Sequence, residues 1–306
     1  MRPLFPYDKP KVNVLKAILP IIIIIHHIAN EGFTEVRHIG MLGNFAMFIF
    51  FAMSGYGLTI SYIKNRQYIN GFLKRSLTKL FAPYFVALAA FVIYRHFHDV
   101  DQVALFREKG LWSFVPTSWY IYVLSYFYVF FFLVFRFVKS TVAVKVALTC
   151  ALVIGYVVVA PHIGIESWRY NRCPAFCVGM FFALFDGYIR TRFVRWQAFA
   201  AFIVLSALTV FPHGHIIKPL ITPAALFCLM YCLPSFDDTA IVKFLSSISL
   251  EMFIMQFIPI YVVTQDMGIS NTFAVVGLVL LMDIALAYLV HISLKRVAFP
   301  RVKAQG

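Results

Sequence analysis

Residues 12–30 read VNVLKAILPIIIIIHHIAN, an apolar run of the length that crosses a bilayer. The run carries Lys16 and the histidine pair His26 and His27. An ionisable group at this depth costs about 2.5–3.5 kcal/mol on insertion scales, so such groups persist where they have a function or a partner. Lys16 and His27 are eleven residues apart, which in a helix is about three turns and about 16 Å of rise. We therefore expect both side chains on one helix face at two membrane depths, with His26 turned about 100° away.

The composition of the whole chain is typical of a membrane protein. Hydrophobic residues make up 61% of the 306 residues and charged residues 13%, and the mean hydropathy is +0.82, which no ordinary soluble domain reaches. We predict an all-α fold, a polytopic transmembrane helical bundle, as a single membrane domain over residues 1–306. The runs long enough to span as helices number about ten: 12–30, 40–62, 80–97, 117–137, 141–160, 173–189, 197–212, 219–235, 244–264 and 272–293.

The net charge of +14 is distributed as in a membrane protein. With a cytoplasmic N-terminus, 19 of the 27 basic residues fall on the cytoplasmic side of the ten runs, which is the positive-inside pattern. This predicts cytoplasmic segments at residues 1–11, 63–79 and 294–306, so that both termini lie inside. Membrane lipids are the expected partners of these charges, and no nucleic-acid partner is expected.

The segment over 63–79 is basic and amphipathic. Its apolar residues recur at helical spacing, while Lys74, Arg75 and Lys79 fall on the other side. One interpretation is an interfacial helix held by anionic lipids. The other is a site for a polyphosphate ligand at the cytoplasmic face, because Arg and Lys suit phosphates. Composition does not choose between them.

The cysteines and the loop histidines show no metal-binding pattern. The five cysteines include two pairs spaced four residues apart inside predicted helices, which is neither a redox motif nor a zinc spacing. His213 and His215 form a loop doublet, but two further ligands would be needed nearby. We expect no metal, and we interpret the cysteines as small core residues.

Six stretches, in order along nearly the whole chain, carry a family resemblance. They read LKAILPIIIIIHH at 15–27, FIFFAMSGYGL at 48–58, FLKRSLTKLFAP at 72–83, SWYIYVLSYFYVFF at 118–131, CPAFCVGMFFA at 173–183 and FLSSISLEMFIMQ at 244–256. Together they resemble the acyltransferase-3 family of ten-helix membrane O-acyltransferases. The resemblance implies transfer of an acyl group, usually acetyl, from cytoplasmic acetyl-CoA or another acyl-CoA. The implied acceptor is a hydroxyl of an extracytoplasmic polysaccharide or lipid-linked glycan, at a bacterial inner membrane.

Three positions differ from the family pattern. Lys16 stands eleven positions before His27, where the family has an arginine. Ser76 follows Arg75, where a second arginine usually stands, and Gln256 occupies a position that is often histidine. The charge at position 16 is kept, but the planar fork of arginine is lost.

The catalytic set expected for this transfer is His27, His26 and Lys16. A sugar hydroxyl is a poor nucleophile, and an imidazole with a pKa near ~6.5 can take its proton at physiological pH. His27 is the candidate base. A covalent acyl-histidine is the alternative, and the sequence does not separate the two.

The donor site is expected to use Lys74, Arg75 and Lys79 for the phosphates of acyl-CoA, with Ser54 in the second run. Ser54 opens a Ser-Gly-Tyr-Gly stretch whose small residues allow close approach of a ligand. Helix packing is an equal explanation for those glycines.

The acceptor site is expected to use Asn44, Trp119 and Tyr120. Asn44 could hydrogen-bond a histidine, or it could make an ordinary contact between helices. The two aromatic rings could stack on a sugar, or they could belong to the aromatic belt at the membrane surface.

Two other classes of function remain open. Glu251 and Asp283 lie well inside predicted spans, and intramembrane carboxylates mark ion or proton pathways in transporters. A proton- or ion-coupled transporter or glycolipid flippase is therefore the second hypothesis. A family member without catalysis is the third, suggested by Lys16 and Gln256.

Overall fold

The computed structural model describes residues 9–110, 114–210, 217–234 and 237–297. All regular secondary structure in these ranges is helical. Two parts of the predicted cytoplasmic termini, residues 1–8 and 298–306, are not among the described residues. The same holds for the loop histidines His213 and His215. The helices are α1 Lys9–Asn30, α2 Arg37–Gly40, α3 Leu42–Lys64, α4 Phe72–Phe97, α5 Gln102–Lys109, α6 Ser118–Phe137, α7 Val142–Val159, α8 Ser167–Tyr170, α9 Pro174–Arg192, α10 Arg195–Val210, α11 Lys218–Cys232, α12 Ala240–Ser247, α13 Ser249–Met255, α14 Phe257–Tyr261 and α15 Thr272–Val297.

Short helical turns complete the fold between these helices. They are 3₁₀ turns at Thr34–Val36, Arg66–Ile69 and Ala160–Ile163, and a π-helical turn at Val262–Asp266. Polar side chains cap several helix starts. Asp101, for example, accepts hydrogen bonds from the backbone N–H groups of Val103 and Ala104 at 3.0 and 2.9 Å, as expected of an N-cap.

Seven helical segments of the described chain are long and apolar enough to cross a membrane. They are Lys9–Asn30, Thr34–Lys64, Phe72–Phe97, Ser118–Phe137, Val142–Ile163, Ser167–Arg192 and Thr272–Lys295. The predicted runs 197–212 and 219–235 form the shorter apolar helices Arg195–Thr209 and Lys218–Cys232. The run 244–264 is broken into α12, α13 and α14. The protein is thus an integral membrane protein, and a count of ten spans stays a prediction.

The basic segment 63–79 is not a separate interfacial helix. A 3₁₀ turn at Arg66–Ile69 leads into α4, which runs without interruption from Phe72 into the predicted span. The predicted separation of apolar and basic side chains is present: on the apolar side, Ile69, Phe72 and Leu80 are buried. The basic residues Lys74, Arg75 and Lys79 are exposed. They therefore stand on the first two turns of a membrane helix.

The chain divides into two compact units. Unit 1 comprises residues 1–13, 44–73 and 126–238, and unit 2 comprises residues 14–43, 74–125 and 239–306. In unit 1, α3 and α9 pack closely at two glycines: a Cβ on Gly55 would overlap the carbonyl of Phe176, and a Cβ on Gly179 would overlap that of Ala52. Helix packing is thus what these glycines provide.

Unit 1 also contains a buried ion pair with aromatic partners. Arg190 Nη2 lies 2.6 Å from Asp186 Oδ2, a contact that their spacing of four on one helix allows. Tyr56 and Tyr231 donate their hydroxyl protons to Asp186 Oδ1 at 2.8 and 3.0 Å. The carboxylate therefore links α3, α9 and α11.

In unit 2, α15 packs against α13, α14 and the π-helical turn. Pro259 lies inside α14, where its missing N–H leaves the Met255 carbonyl without its helical partner. Glu251 on α13 lies 2.8 Å from His291 Nδ1 on α15. In this part of unit 2, the interrupted helical segment that contains α13 and α14 therefore packs along the continuous helix α15.

Candidate active site

Lys16 of unit 2 lies near a second lysine. Its side chain is solvent-accessible, although surrounding protein atoms desolvate its ammonium group. Lys79 of α4 is close enough to repel it electrostatically. Two adjacent cations of this kind attract an anion.

Arg75 and Lys74 extend this positive charge along α4. Arg75 lies one turn before Lys79 and thus on the same helix face, and Lys74 is its neighbour in sequence. Both side chains are exposed. We call Lys16, Lys74, Arg75 and Lys79 the basic cluster. It joins the residue expected in catalysis to those expected to hold the donor phosphates.

His26 is anchored by the segment that follows α1. Its Nδ1 lies 2.7 Å from the carbonyl oxygen of Gly40, and its Nε2 lies 3.3 Å from the side-chain nitrogen of Asn30. The neutral tautomer that satisfies both contacts donates from Nδ1 and accepts at Nε2. A Cβ on Gly43 would overlap the His26 side chain. His26 thus packs against two glycines.

His27 turns toward α14. Its ring centre lies 4.6 Å from that of Phe257 at a tilt of 51°, and 5.1 Å from that of His26. The side chain is half-buried. α1 is assigned as one helix from Lys9 to Asn30 with Pro20 inside it, so a spacing of eleven residues still favours a shared face for Lys16 and His27.

Gln256 lies next to Phe257 and is completely buried. Its amide nitrogen donates to the carbonyl of Phe253 at 2.7 Å. Its amide oxygen is buried and has no hydrogen-bond partner among the described residues. An amide oxygen in this state can accept a hydrogen bond from a ligand or a water, as the unprotonated ring nitrogen of a histidine at the same position could.

Two of the predicted site residues belong to unit 1 and have partners there. Asn44 accepts a hydrogen bond from Arg172. Ser54 hydrogen-bonds with Tyr128. The Asn44 contact joins α3 to the turn that precedes α9, and the Ser54 contact joins α3 to α6. Both are contacts between helical segments, the alternative considered for Asn44.

Trp119 and Tyr120 offer little surface for a sugar. They are 8% and 5% exposed, and the Tyr120 ring packs edge-on against Phe253 at 5.1 Å. Both rings lie in the interior of unit 2 rather than at its surface. A stacking role would require them to move.

The sequence pointed to Glu251 and Asp283 but not to their surroundings. Glu251 is paired with His291, whereas both carboxylate oxygens of Asp283 are buried without a partner. The sequence did contain a signal for the partner of Glu251. Glu251 precedes the connection between α14 and α15, and His291 follows it, by similar numbers of residues, so two antiparallel helices would bring them to the same level. Phe257, which covers His27, has no such signal.

The described residues contain no group of three or more His, Cys, Asp or Glu side chains that could hold a metal ion. All five cysteines are free, and Cys150, Cys173 and Cys177 are buried. Burial of these thiols agrees with their interpretation as core residues.

Comparison with known families identifies one match. The family model of the acyltransferase domain, acyltransferase 3, matches residues 9–292, nearly the whole chain. No curated protein and no solved structure matches the chain.

Proposed function

The chain belongs to the acyltransferase-3 family of membrane acyltransferases, and from this premise we propose that it O-acylates an extracytoplasmic glycan. The donor is acetyl-CoA or another acyl-CoA from the cytoplasm. The acceptor is a hydroxyl of a polysaccharide or lipid-linked glycan at the bacterial inner membrane. The observation that carries the proposal is that Lys79 of α4 lies near Lys16, and Lys16 stands on the helix that also presents His27.

The basic cluster supports binding of the donor. CoA carries phosphate and diphosphate groups, which Arg binds bidentately and Lys binds as a point charge. Lys16 and Lys79 repel each other in the free protein. An anion placed between them relieves that repulsion, so the cluster favours a polyphosphate.

The transfer itself needs a base and an exit for its proton. The acceptor oxygen attacks the thioester carbon while His27 takes the hydroxyl proton. The C–S bond breaks, and the proton passes from His27 to the CoA thiolate, giving an O-acyl ester and CoA thiol. Phe257 limits the orientations of the His27 ring through their contact at 4.6 Å.

The two histidines are tested with matched variants. His27→Asn should lower transfer of label from acetyl-CoA to the envelope glycan fraction by about 10²–10⁴-fold, the usual contribution of a general base. His26→Asn should retain transfer, because the asparagine amide can still donate to Gly40. Loss of activity only in His26→Asn would refute the shared face of Lys16 and His27. Activity in both variants would overturn the enzyme proposal.

Donor binding has a test of its own. Arg75→Ala and Lys79→Ala should each weaken CoA binding to purified protein in detergent by about 1.5–3 kcal/mol, the usual contribution of a charged hydrogen bond. The control is Lys139→Ala, which removes another exposed basic residue. If the CoA affinity of all three variants equals that of the wild type, the basic cluster does not bind the donor, and an interaction with anionic lipid becomes its explanation.

The compartments follow from the proposed topology, ten spans with both termini cytoplasmic. Thr34 then lies outside. A cysteine at Thr34 should react with an impermeant thiol reagent added to intact cells, while one at Asn70 should not. The reverse pattern would invert the proposed direction of transfer.

A transporter is the second candidate, favoured by the unpartnered carboxyl group of Asp283. A proton-coupled carrier would depend on that group, whereas acyl transfer at His27 does not use it. Asp283→Asn should leave acyl transfer intact. Loss of transfer with normal CoA binding would bring Asp283 into the mechanism.

A further inference from the structure

Arg95, near the end of α4, is the most unusual cation of unit 2. Its guanidinium carbon lies 5.5 Å from the ring centre of Phe91 and 5.6 Å from that of Phe114. Both phenylalanines are buried, at 0% and 7% exposure. The guanidinium group therefore faces the interior of the unit, not the lipid.

The charge of Arg95 has no counter-ion in the described part of the chain. Its Nη1 is buried without a hydrogen-bond partner, and no carboxylate within the described residues forms an ion pair with it. Tyr261 lies close enough to interact with it electrostatically. Flanking rings contribute cation–π attraction, but a buried donor without an acceptor still costs free energy.

Contacts between rings connect Arg95 with the candidate base. Arg95 neighbours Tyr261, whose ring centre is 5.7 Å from that of Phe257. Phe257 in turn lies against His27 at 4.6 Å. The helix changes to π-helical geometry directly after Tyr261, at Val262–Asp266, and such turns are frequent at functional sites.

We propose that Arg95 binds an anionic group of the acceptor and thereby sets a hydroxyl of that acceptor beside His27. The inference rests on the proposed function and names its substrate class: an acidic glycan. A guanidinium binds planar oxyanions bidentately, so its ligand is a carboxylate or a phosphate oxyanion. A sugar carboxylate and the phosphate of a lipid-linked sugar share this chemistry.

Three small probes separate these sources. Methyl glucuronoside carries a carboxylate, glucose 1-phosphate carries a phosphate, and methyl glucoside carries neither. We expect purified protein in detergent to bind one of the anionic probes at least about tenfold more tightly than methyl glucoside, the smaller end of the range for a charged hydrogen bond. The preferred probe identifies the source of the anion.

Variants tie this preference to Arg95. Arg95→Gln should remove the preference, and Arg95→Lys should reduce it because the fork is lost. Arg107→Gln, at an exposed arginine of α5 in the same unit, makes the same change of charge and should leave the preference unchanged. Equal binding of all probes by the wild type would overturn the inference, as would a preference that survives in Arg95→Gln.

The two proposals fail in distinguishable ways. If His27→Asn abolishes glycan acylation while the wild type shows no preference for an anionic probe, the enzyme proposal stands and the inference about Arg95 falls. If the preference is present and depends on Arg95 but no acylation occurs in any variant, the acidic ligand site stands and the proposed function falls.

Discussion

Each unit buries one aspartate deeply, and the two aspartates are treated in opposite ways. Asp186 of unit 1 accepts two tyrosine hydroxyls and faces Arg190 at 2.6 Å. Asp283 of unit 2 is completely buried, and neither of its carboxylate oxygens has a hydrogen-bond partner in the part of the chain that the structure describes. A buried charge is tolerated when it is paired, and an unpaired carboxyl group is held neutral. Asp186 thus links three helices of unit 1, whereas the carboxyl group of Asp283 makes no such link among the described residues of unit 2.

The lysines repeat this contrast. Lys145 of unit 1 is buried and donates to Tyr62 and to the carbonyl of Phe135 at 3.0 and 3.1 Å. Lys16 of unit 2 is solvent-accessible and lies near a like charge, Lys79. In unit 1 the polar groups hold helices together. In unit 2, Asp283 and Lys16 make no such link among the described residues.

The largest expected effect separates the two aspartates. Asp186→Leu should destabilise the protein by about 3–5 kcal/mol, because it leaves Arg190 as an uncompensated buried charge. Asp283→Leu should leave stability unchanged or raise it, since an unpartnered polar group is replaced by an apolar one. Thermal unfolding of both variants in one detergent makes the comparison. An equal loss of stability in the two variants would mean that the carboxyl group of Asp283 also makes a stabilising interaction.

A smaller effect is expected at glycines of the two units. Gly179→Ala should destabilise by about 1–3 kcal/mol, the cost of overpacking, because its Cβ would overlap the Ala52 carbonyl and lie 2.8 Å from the Tyr56 nitrogen. Gly277→Ala in α15 is the control, with nothing within 4 Å of its Cβ. It should be neutral or stabilising by up to about 1 kcal/mol. A tolerated Gly179→Ala, with the same melting temperature as the control, would show that α3 and α9 separate easily.

The smallest effect concerns an exposed pair of unit 2. A hydrogen bond to the Tyr94 carbonyl, at 2.8 Å, and the contact with Asp266, at 2.9 Å, raise the pKa of His98. A raised folded-state pKa stabilises the protein fully below the unfolded value, near ~6.5, and this contribution is lost as the pH rises through the folded value. The melting temperature of the wild type should therefore exceed that of His98→Gln slightly at pH 6, and the difference should shrink by pH 8.5. A difference that grows with pH would contradict the assignment of the proton to His98.

The fold was predictable where it depends on neighbours in sequence. The start of α1 and the limits of α6, α7 and α9 fall within three residues of the predicted runs, because a long apolar stretch can satisfy its backbone in a membrane only as a helix. The broken helix at 240–266 was not predicted. Pro259 gave a signal for it, but the start of α13 at Ser249 depends on packing against α15.

The candidate site was predictable only in part. The face shared by Lys16 and His27 follows from helical spacing, and the exposure of Arg75 and Lys79 follows from the amphipathic pattern. The burial of Trp119 could not be read from an aromatic residue at a helix start, since belt and core residues look alike in sequence.

The sequence by itself determined the membrane class, the helical runs, the family and the spacing that aligns Lys16 with His27, because each depends on residues close together in the chain. Tertiary structure alone decided that Lys79 lies beside Lys16, that Phe257 covers His27 and that Glu251 has His291 as its partner. These contacts join residues that are distant in sequence, and helical periodicity carries no information about which helix a given face will meet. Whether a buried polar group ends with a partner, as Asp186 does, or without one, as Asp283 does, is therefore settled only when the helices pack.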